Sequence, residues 1–141
     1  MSGFKGKFSA IRTDWETPAD LFQPLHDEFG FTLDCAASAV NAKVARYFTE
    51  EQDALSLSWG REVCWVNPPY SNVGAWVKKA FDAACEGATI VMLLPARTNT
   101  NWFHDICVPN AEIRFVRGRP KFSGGSQGLP QPLCLAIFRP Q

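Results

Sequence analysis

The chain has no long apolar run. Its longest uninterrupted stretch, Leu133 to Phe138, is six residues, against the ~20 that a membrane-spanning helix needs. A membrane protein is therefore not expected. Residues Met1 to Ala10 hold no apolar stretch of about 7–15 residues, so no secretory signal is expected either. Clustered metal ligands are missing too. The two histidines, His26 and His104, are far apart, and the five cysteines, Cys35, Cys64, Cys85, Cys107 and Cys134, form no C-x-x-C pair. Structural zinc takes its ligands from tight Cys/His clusters, so no metal site is expected. An odd, widely spaced set of cysteines also argues against a disulfide framework and for reduced, mostly buried thiols in a cytoplasmic protein. An excess of either charge is absent: 14 Lys/Arg balance 14 Asp/Glu. Indiscriminate coating of nucleic acid by a strongly basic molecule is thereby excluded.

What is present is globular. Hydrophobic residues make up 46% and charged residues 20% of 141 residues, a composition for one domain with a real core rather than a disordered chain. The balanced charge is unevenly spread. Residues 1–87 carry eight Lys/Arg against twelve Asp/Glu, and residues 88–141 carry six against two. Arg114, Arg117, Arg119 and Lys121 fall close together and give the C-terminal part a face that could meet phosphates.

The hydrophobic pattern divides the chain into alternating elements. Residues 1–12, with Lys5, Lys7, Arg12 and two glycines, read as a flexible basic arm. Thr17, Pro18 and Asp20 form a helix start, with Thr17 as the cap and Pro18 at the first helical position. Leu21, Phe22, Leu25 and Phe29 follow at helical spacing, and Gly30 ends the helix. Phe31 to Leu33 reads as a short strand running into Asp34-Cys35-Ala36-Ala37-Ser38, a small-residue loop. Val44 to Phe48 and Val63 to Val66 read as further strands. Ser71 caps a second helix, on which Val73, Trp76, Val77, Ala80, Phe81 and Ala84 share one face. Ala88 to Leu94 reads as a buried parallel strand. Thr100 to Cys107 reads as a short helix stopped before Pro109, and Ala111 to Val116 and Leu133 to Phe138 as two more strands. Ser123 to Pro132 between them is turn chemistry. This alternation predicts an α/β fold, a mostly parallel sheet with helices on both faces. Ligands of such sheets bind beyond the carboxyl ends of the strands, where strand order reverses. The two most polar strand exits are Asp34 and Asn67.

Asn67-Pro68-Pro69-Tyr70, directly after an apolar strand, is the strongest chemical signal. Consecutive prolines fix the backbone and remove two donors, so the loop is rigid and its carbonyls are free to accept. The Asn67 side-chain oxygen and the Pro68 carbonyl could take both hydrogens of a planar NH₂ group. Tyr70 offers a ring on which a base could stack, and a duplex base would have to be flipped out to reach it.

These blocks, in order, resemble the phage-type DNA adenine N6-methyltransferases, the Dam-like family of phages and prophages. The resemblance runs from about Thr13 to Phe138. It rests on Trp15 to Pro18 with Leu21 and Phe22, Leu33 to Ala37, Asn41-Ala42 with Tyr47 to Thr49, and Asp53 to Leu55. Trp65 to Ser71, Trp76-Val77, Leu93 to Thr98, Trp102 to His104, and Gly118-Arg119 with Lys121-Phe122 complete it. It implies a single Rossmann-like domain over residues 13–141, dependent on S-adenosylmethionine and without a separate target-recognition domain. It implies methyl transfer to the exocyclic amine of a flipped adenine in double-stranded DNA, by a monomer or homodimer in a bacterial host. Asn67, Pro68, Pro69 and Tyr70 then form the catalytic loop. Trp15, Thr17, Pro18, Asp34, Cys35, Ala36 and Asp53 fall to the cofactor. Arg97, Asn99, Arg117, Arg119, Lys121 and Phe122 fall to DNA. The chain departs from the wider methyltransferase pattern in its cofactor loop, which lacks a Gly-x-Gly run.

Two other readings stay open on sequence alone. Asn-Pro-Pro-Tyr also occurs in enzymes that methylate protein glutamine amides or guanine N2 in RNA. A DNA-binding module that kept the fold and lost turnover is the other.

Overall fold

The computed structural model describes residues 17–37, 41–118 and 132–141. The expected basic arm, Trp15, Arg119, Lys121, Phe122 and most of the Ser123–Pro132 stretch lie outside the described residues. Helix α1 (Ala19–Phe29) follows Pro18, whose carbonyl accepts the first helical N–H bonds from Leu21 and Phe22. Gly30 closes it in the left-handed conformation at φ 68°. That conformation costs an L side chain and is nearly free for glycine. The Thr17 hydroxyl makes no cap, which corrects the cap expected there; it is engaged elsewhere.

Strand β1 (Leu33–Ala37) begins where the sequence suggested a strand would end. The expected small-residue loop from Asp34 to Ala37 is strand, because its backbone pairs in parallel with β2 on one side and β3 on the other. β2 (Tyr47–Thr49) is shorter and later than the expected Val44–Phe48. Two 3₁₀ turns, Glu50–Gln52 and Ala54–Ser56, precede β3 (Val63–Val66). A third turn, Tyr70–Asn72, leads into helix α2 (Val73–Cys85), which has no side-chain cap, so Ser71 does not cap it. β4 (Thr89–Pro95) is buried at every position but its first. Helix α3 spans residues 101–110 and holds a π turn, Phe103–Cys107. It runs past Pro109 to Asn110 instead of stopping before it. The π turn is the reason. The Val108 N–H reaches back five residues to the Phe103 carbonyl, and the slipped register accommodates a residue that has no N–H to give. β5 (Glu112–Phe115) and β6 (Leu133–Phe138) complete the sheet.

The six strands lie in the order β2-β1-β3-β4-β6-β5. The pairings β2–β1, β1–β3 and β3–β4 are parallel, while β6 is antiparallel to both β4 and β5. The sheet is therefore mixed: the parallel arrangement holds through β4 and gives way at β6. The Val116 N–H bonds to the Leu133 carbonyl, and the Ala96 N–H to the Pro132 carbonyl, so the β5–β6 connection leaves and returns beside the end of β4.

Alternation along β3 assigns the two faces. Trp65, 1% exposed, meets Phe22 of α1 edge-on at 5.2 Å and Phe31 at 5.6 Å. Its neighbours Cys64 and Val66 point the other way. The Cys64 thiol meets Cys35 there, in the field of Lys79 on α2. Trp59 packs on Trp76 of α2, and its indole N–H donates to the Ala54 carbonyl at 3.0 Å. Each buried indole removes roughly 200 Å² from water, about 5 kcal/mol at about 25 cal/mol per Å².

Strand order fixes the place of a site. From β1 the chain moves outward to β2, then returns to lay β3 on the opposite side of β1. The order thus reverses between β1 and β3, and the crevice opens at their carboxyl ends.

Candidate active site

β3 ends at Val66, and its next residue, Asn67, stands at that reversal point. Asn67 is half-buried, Pro68 is buried, and Pro69 is half-buried with extended backbone at φ −64°, ψ 135°. The Asn67 Nδ2 donates to the Thr17 hydroxyl at 3.3 Å, across 50 residues of sequence. Among the described residues nothing donates to the Asn67 Oδ1. The loop thus presents acceptors: a side-chain oxygen whose partner edge is held, and the carbonyl of a proline in a rigid segment. Tyr70, which the sequence offered as a ring on which a base could stack, is 8% exposed and belongs to the core cluster. Its carbonyl accepts from the Arg97 guanidinium at 3.4 Å.

Asp34 on β1 pairs in register with Trp65 of β3, and so faces the α1 side, as Thr17 does. It is 3% exposed. Oδ2 accepts the Lys43 main-chain N–H at 2.9 Å and Oδ1 that of Ala36 at 3.3 Å. Burial pushes its carboxyl above the usual range, and the two main-chain donors and the Lys43 charge act against that shift. Asp34 therefore pins the β1–β2 connection over the strand exit. Lys43 was not singled out by the sequence reading. Its Nζ donates to the Thr17 carbonyl at 2.7 Å and lies over the Phe22 ring. Only Lys43's position directly after Asn41-Ala42 could have drawn attention to it.

The other sequence-selected residues are less gathered. Cys35 turns its thiol into the core beside Cys64, where burial pushes it well above its usual range. Only its main chain follows the strand exit. Ala36 is half-buried and donates its N–H to Asp34. Pro18 starts α1. Asp53 lies beyond the carboxyl end of β2, exposed, in the left-handed conformation at φ 53°. Asp is one of the few residues that adopts this conformation at modest cost. Its carbonyl is held by the Ser56 N–H and hydroxyl, which leaves the carboxylate facing outward. Arg97 is half-buried; Asn99 and Arg117 are exposed. Arg114, counted among the basic cluster, is consumed by Glu28 at 2.8 Å and Glu112 at 2.6 Å. Trp15, Arg119, Lys121 and Phe122 lie outside the described residues.

Among the described residues no three His, Cys, Asp or Glu side chains come together as a metal site, and no helix is long and apolar enough to cross a membrane. Chemically, the arrangement offers a buried carboxylate within β1, an exposed one beyond β2, and a loop of hydrogen-bond acceptors at the exit of β3.

Comparison with known proteins identifies related chains. A model of the DNA N-6-adenine-methyltransferase (Dam) family matches residues 7–132. A DNA N-6-adenine-methyltransferase of Haemophilus phage HP1 is 34% identical over 137 residues, covering 90% of this chain and 79% of that protein. One of Escherichia phage T1 is 36% identical over 109 residues, covering 76% of this chain and 46% of that protein. A putative methyltransferase, YfdM of Escherichia coli K12, is 36% identical over 67 residues, 43% of this chain and 74% of that protein. With the family model matching residues 7–132 and the HP1 protein 34% identical over 79% of its length, this chain belongs to the DNA N-6-adenine-methyltransferase (Dam) family.

Proposed function

We propose that the chain transfers the methyl group of S-adenosylmethionine to the N6 amine of an adenine flipped out of double-stranded DNA, on a Rossmann-like domain, with Asn67 to Tyr70 as the amine clamp. One observation carries the reading. Asn67 leaves a buried parallel strand at the reversal of strand order, its Nδ2 held by Thr17 and its Oδ1 facing no described donor.

The residues present fit the cofactor. It is a sulfonium with an ammonium group and a ribose, and the chain offers Asp34 within β1 and Asp53 beyond β2. Thr17, Pro18 and the main chain of Cys35 and Ala36 would hold the rest. When bound, the cofactor supplies an electrophilic methyl carbon.

The chain's own contribution is orientation. The adenine amine is a poor nucleophile because its lone pair is delocalised into the ring. The Asn67 Oδ1 and the Pro68 carbonyl would accept its two hydrogens, holding the nitrogen as it becomes tetrahedral and stabilising its developing positive charge. The prolines keep those acceptors in place without reorganisation. Most of the rate enhancement would come from alignment and exclusion of water. The nearby carboxylate, Asp34, is engaged by two main-chain N–H groups. The amine proton therefore leaves to solvent once transfer has made the nitrogen acidic, with no side-chain base required.

Exposed Asn99 and Arg117 would meet DNA, together with Arg119, Lys121 and Phe122. A reaction inside a bacterial host cell is in keeping with relatives encoded by bacterial phages.

The test uses purified protein, tritiated S-adenosylmethionine and DNA from a methylase-free host, digested to nucleosides, beside an Asn67→Ala control. Label in N6-methyladenosine that disappears in the control is the expected result. Binding of cofactor without transfer to DNA would overturn the reading, and transfer to RNA or protein would redirect it.

A further inference from the structure

Thr17 precedes Pro18 and carries the signature of a helix cap, yet its hydroxyl caps nothing. It is 3% exposed and accepts from the Asn67 amide at 3.3 Å. Its carbonyl is held by the Lys43 Nζ at 2.7 Å, and Lys43 is held in turn, through its main-chain N–H, by Asp34 at 2.9 Å. These bonds join three separate segments: the start of α1, the β1–β2 connection and the exit of β3.

The orientation of an asparagine amide decides the sign of the interaction it makes. With oxygen toward the substrate it accepts from an amine. Reversed, it points one NH₂ at another, two donors face each other, and the clamp repels what it should hold. The two orientations have nearly the same shape, so packing alone discriminates poorly between them. A hydroxyl can accept from the amide nitrogen or donate to the amide oxygen; in this structure it accepts, so the nitrogen edge is the one turned to Thr17. We propose that Thr17 is a positioning residue for Asn67, fixing the amide with its oxygen toward the adenine amine, and that Lys43 keeps the Thr17 hydroxyl in place. This rests on Asn67 being the amine clamp. It is distinct from the cofactor contact that family resemblance gives Thr17, and the two roles separate in binding.

Thr17→Val removes the hydroxyl at nearly constant volume, and Thr17→Ser keeps it. Both are compared with the native chain in single-turnover methylation of an adenine-containing duplex, with affinity for S-adenosylhomocysteine measured by calorimetry. The expected result is a loss of about tenfold in rate for Thr17→Val, the worth of one hydrogen bond, at nearly unchanged affinity, with Thr17→Ser close to the native rate. A second background sharpens the test. The carboxylate of Asn67→Asp has two equivalent oxygens and no orientation to choose, so Thr17→Val should cost much less there than in the native background. Should Thr17→Val fail to fold, Lys43→Met against Lys43→Arg makes the same comparison. An unchanged rate for Thr17→Val, or a loss confined to cofactor affinity, or an equal loss in both backgrounds, overturns the proposal. No methylation by the native chain overturns instead the assignment of the clamp.

Discussion

The Arg97 guanidinium donates to the main-chain carbonyl of Tyr70 at 3.4 Å, tying the exit of β4 to the loop that leaves β3. Arg97 is half-buried in that position, whereas Arg117, beyond β5, is exposed. The two arginines that the sequence assigned alike to DNA are thus differently placed. Arg97→Gln is expected to lower the rate of transfer while leaving the salt dependence of DNA binding unchanged. Arg117→Gln should reduce the slope of log affinity against log salt by about 1 and leave the rate at saturating DNA intact, the behaviour of a phosphate contact. Binding titrations from low to moderate salt, beside single-turnover rates, distinguish them.

At Asn67 the order of activities is itself a prediction. Asn67→Ala removes the side-chain acceptor and should cost about 10²–10³-fold in rate, as loss of one preorganised partner of a developing charge typically does. Asn67→Asp keeps an acceptor and should fall between the two. Melting temperatures should change little, since the side chain is half-buried with one hydrogen bond. An aspartate variant as inactive as the alanine one would show that acceptance alone is not what the position supplies.

Asp34 makes stability depend on pH. Burial raises its carboxyl above the usual range, so the folded chain holds this proton to higher pH than the unfolded chain does. Its contribution to stability is complete below the ordinary aspartate value of about 4 and is lost as pH rises through the raised native value. An Asp34→Asn variant pays a fixed cost for presenting an NH₂ to main-chain donors, and this cost does not vary with pH. Across a series of melts from pH 4 to neutrality (roughly the span over which a raised carboxyl titrates), the variant should gain on the native chain. A constant difference in melting temperature would remove Asp34 from the pH dependence.

The thiols should divide four to one. Burial pushes Cys107 up to about 12 and Cys134 up to about 11, and Cys35 is raised as well. Thiolate is the reactive form, so these stay inert near neutrality. Cys64 is fully buried, and Cys85, at the end of α2, is exposed. Alkylation at mildly alkaline pH followed by peptide mass spectrometry should find Cys85 modified in the folded chain and all five cysteines only after unfolding.

What the sequence made legible was local. The apolar face of α2, the unbroken run of β4 and the strand–loop pattern around Asn67 each declare themselves within a dozen residues, and each stands where expected. The misreadings share a cause. Thr17 satisfies every short-range rule for a cap, but its hydroxyl is taken by an amide 50 residues away. Arg114 looks like part of a basic cluster, but Glu28, 86 residues earlier, closes on it. Asp34 to Ala37 looks like a loop because its side chains are small, but its backbone bonds to strands that lie 10 or more residues further along the chain. Pro109 reads as a stop, and a one-residue slip in the helix ahead of it lets the helix continue. Lys43, which joins the two sides of the crevice, has no sequence signature beyond its neighbours.

The β5–β6 connection is pinned at both ends, by Val116 to Leu133 and by Ala96 to Pro132. Each doubling of such a connection costs only about 0.6 kcal/mol in closure entropy. Lengthening the chain between those two anchors is therefore expected to leave the melting temperature nearly unchanged.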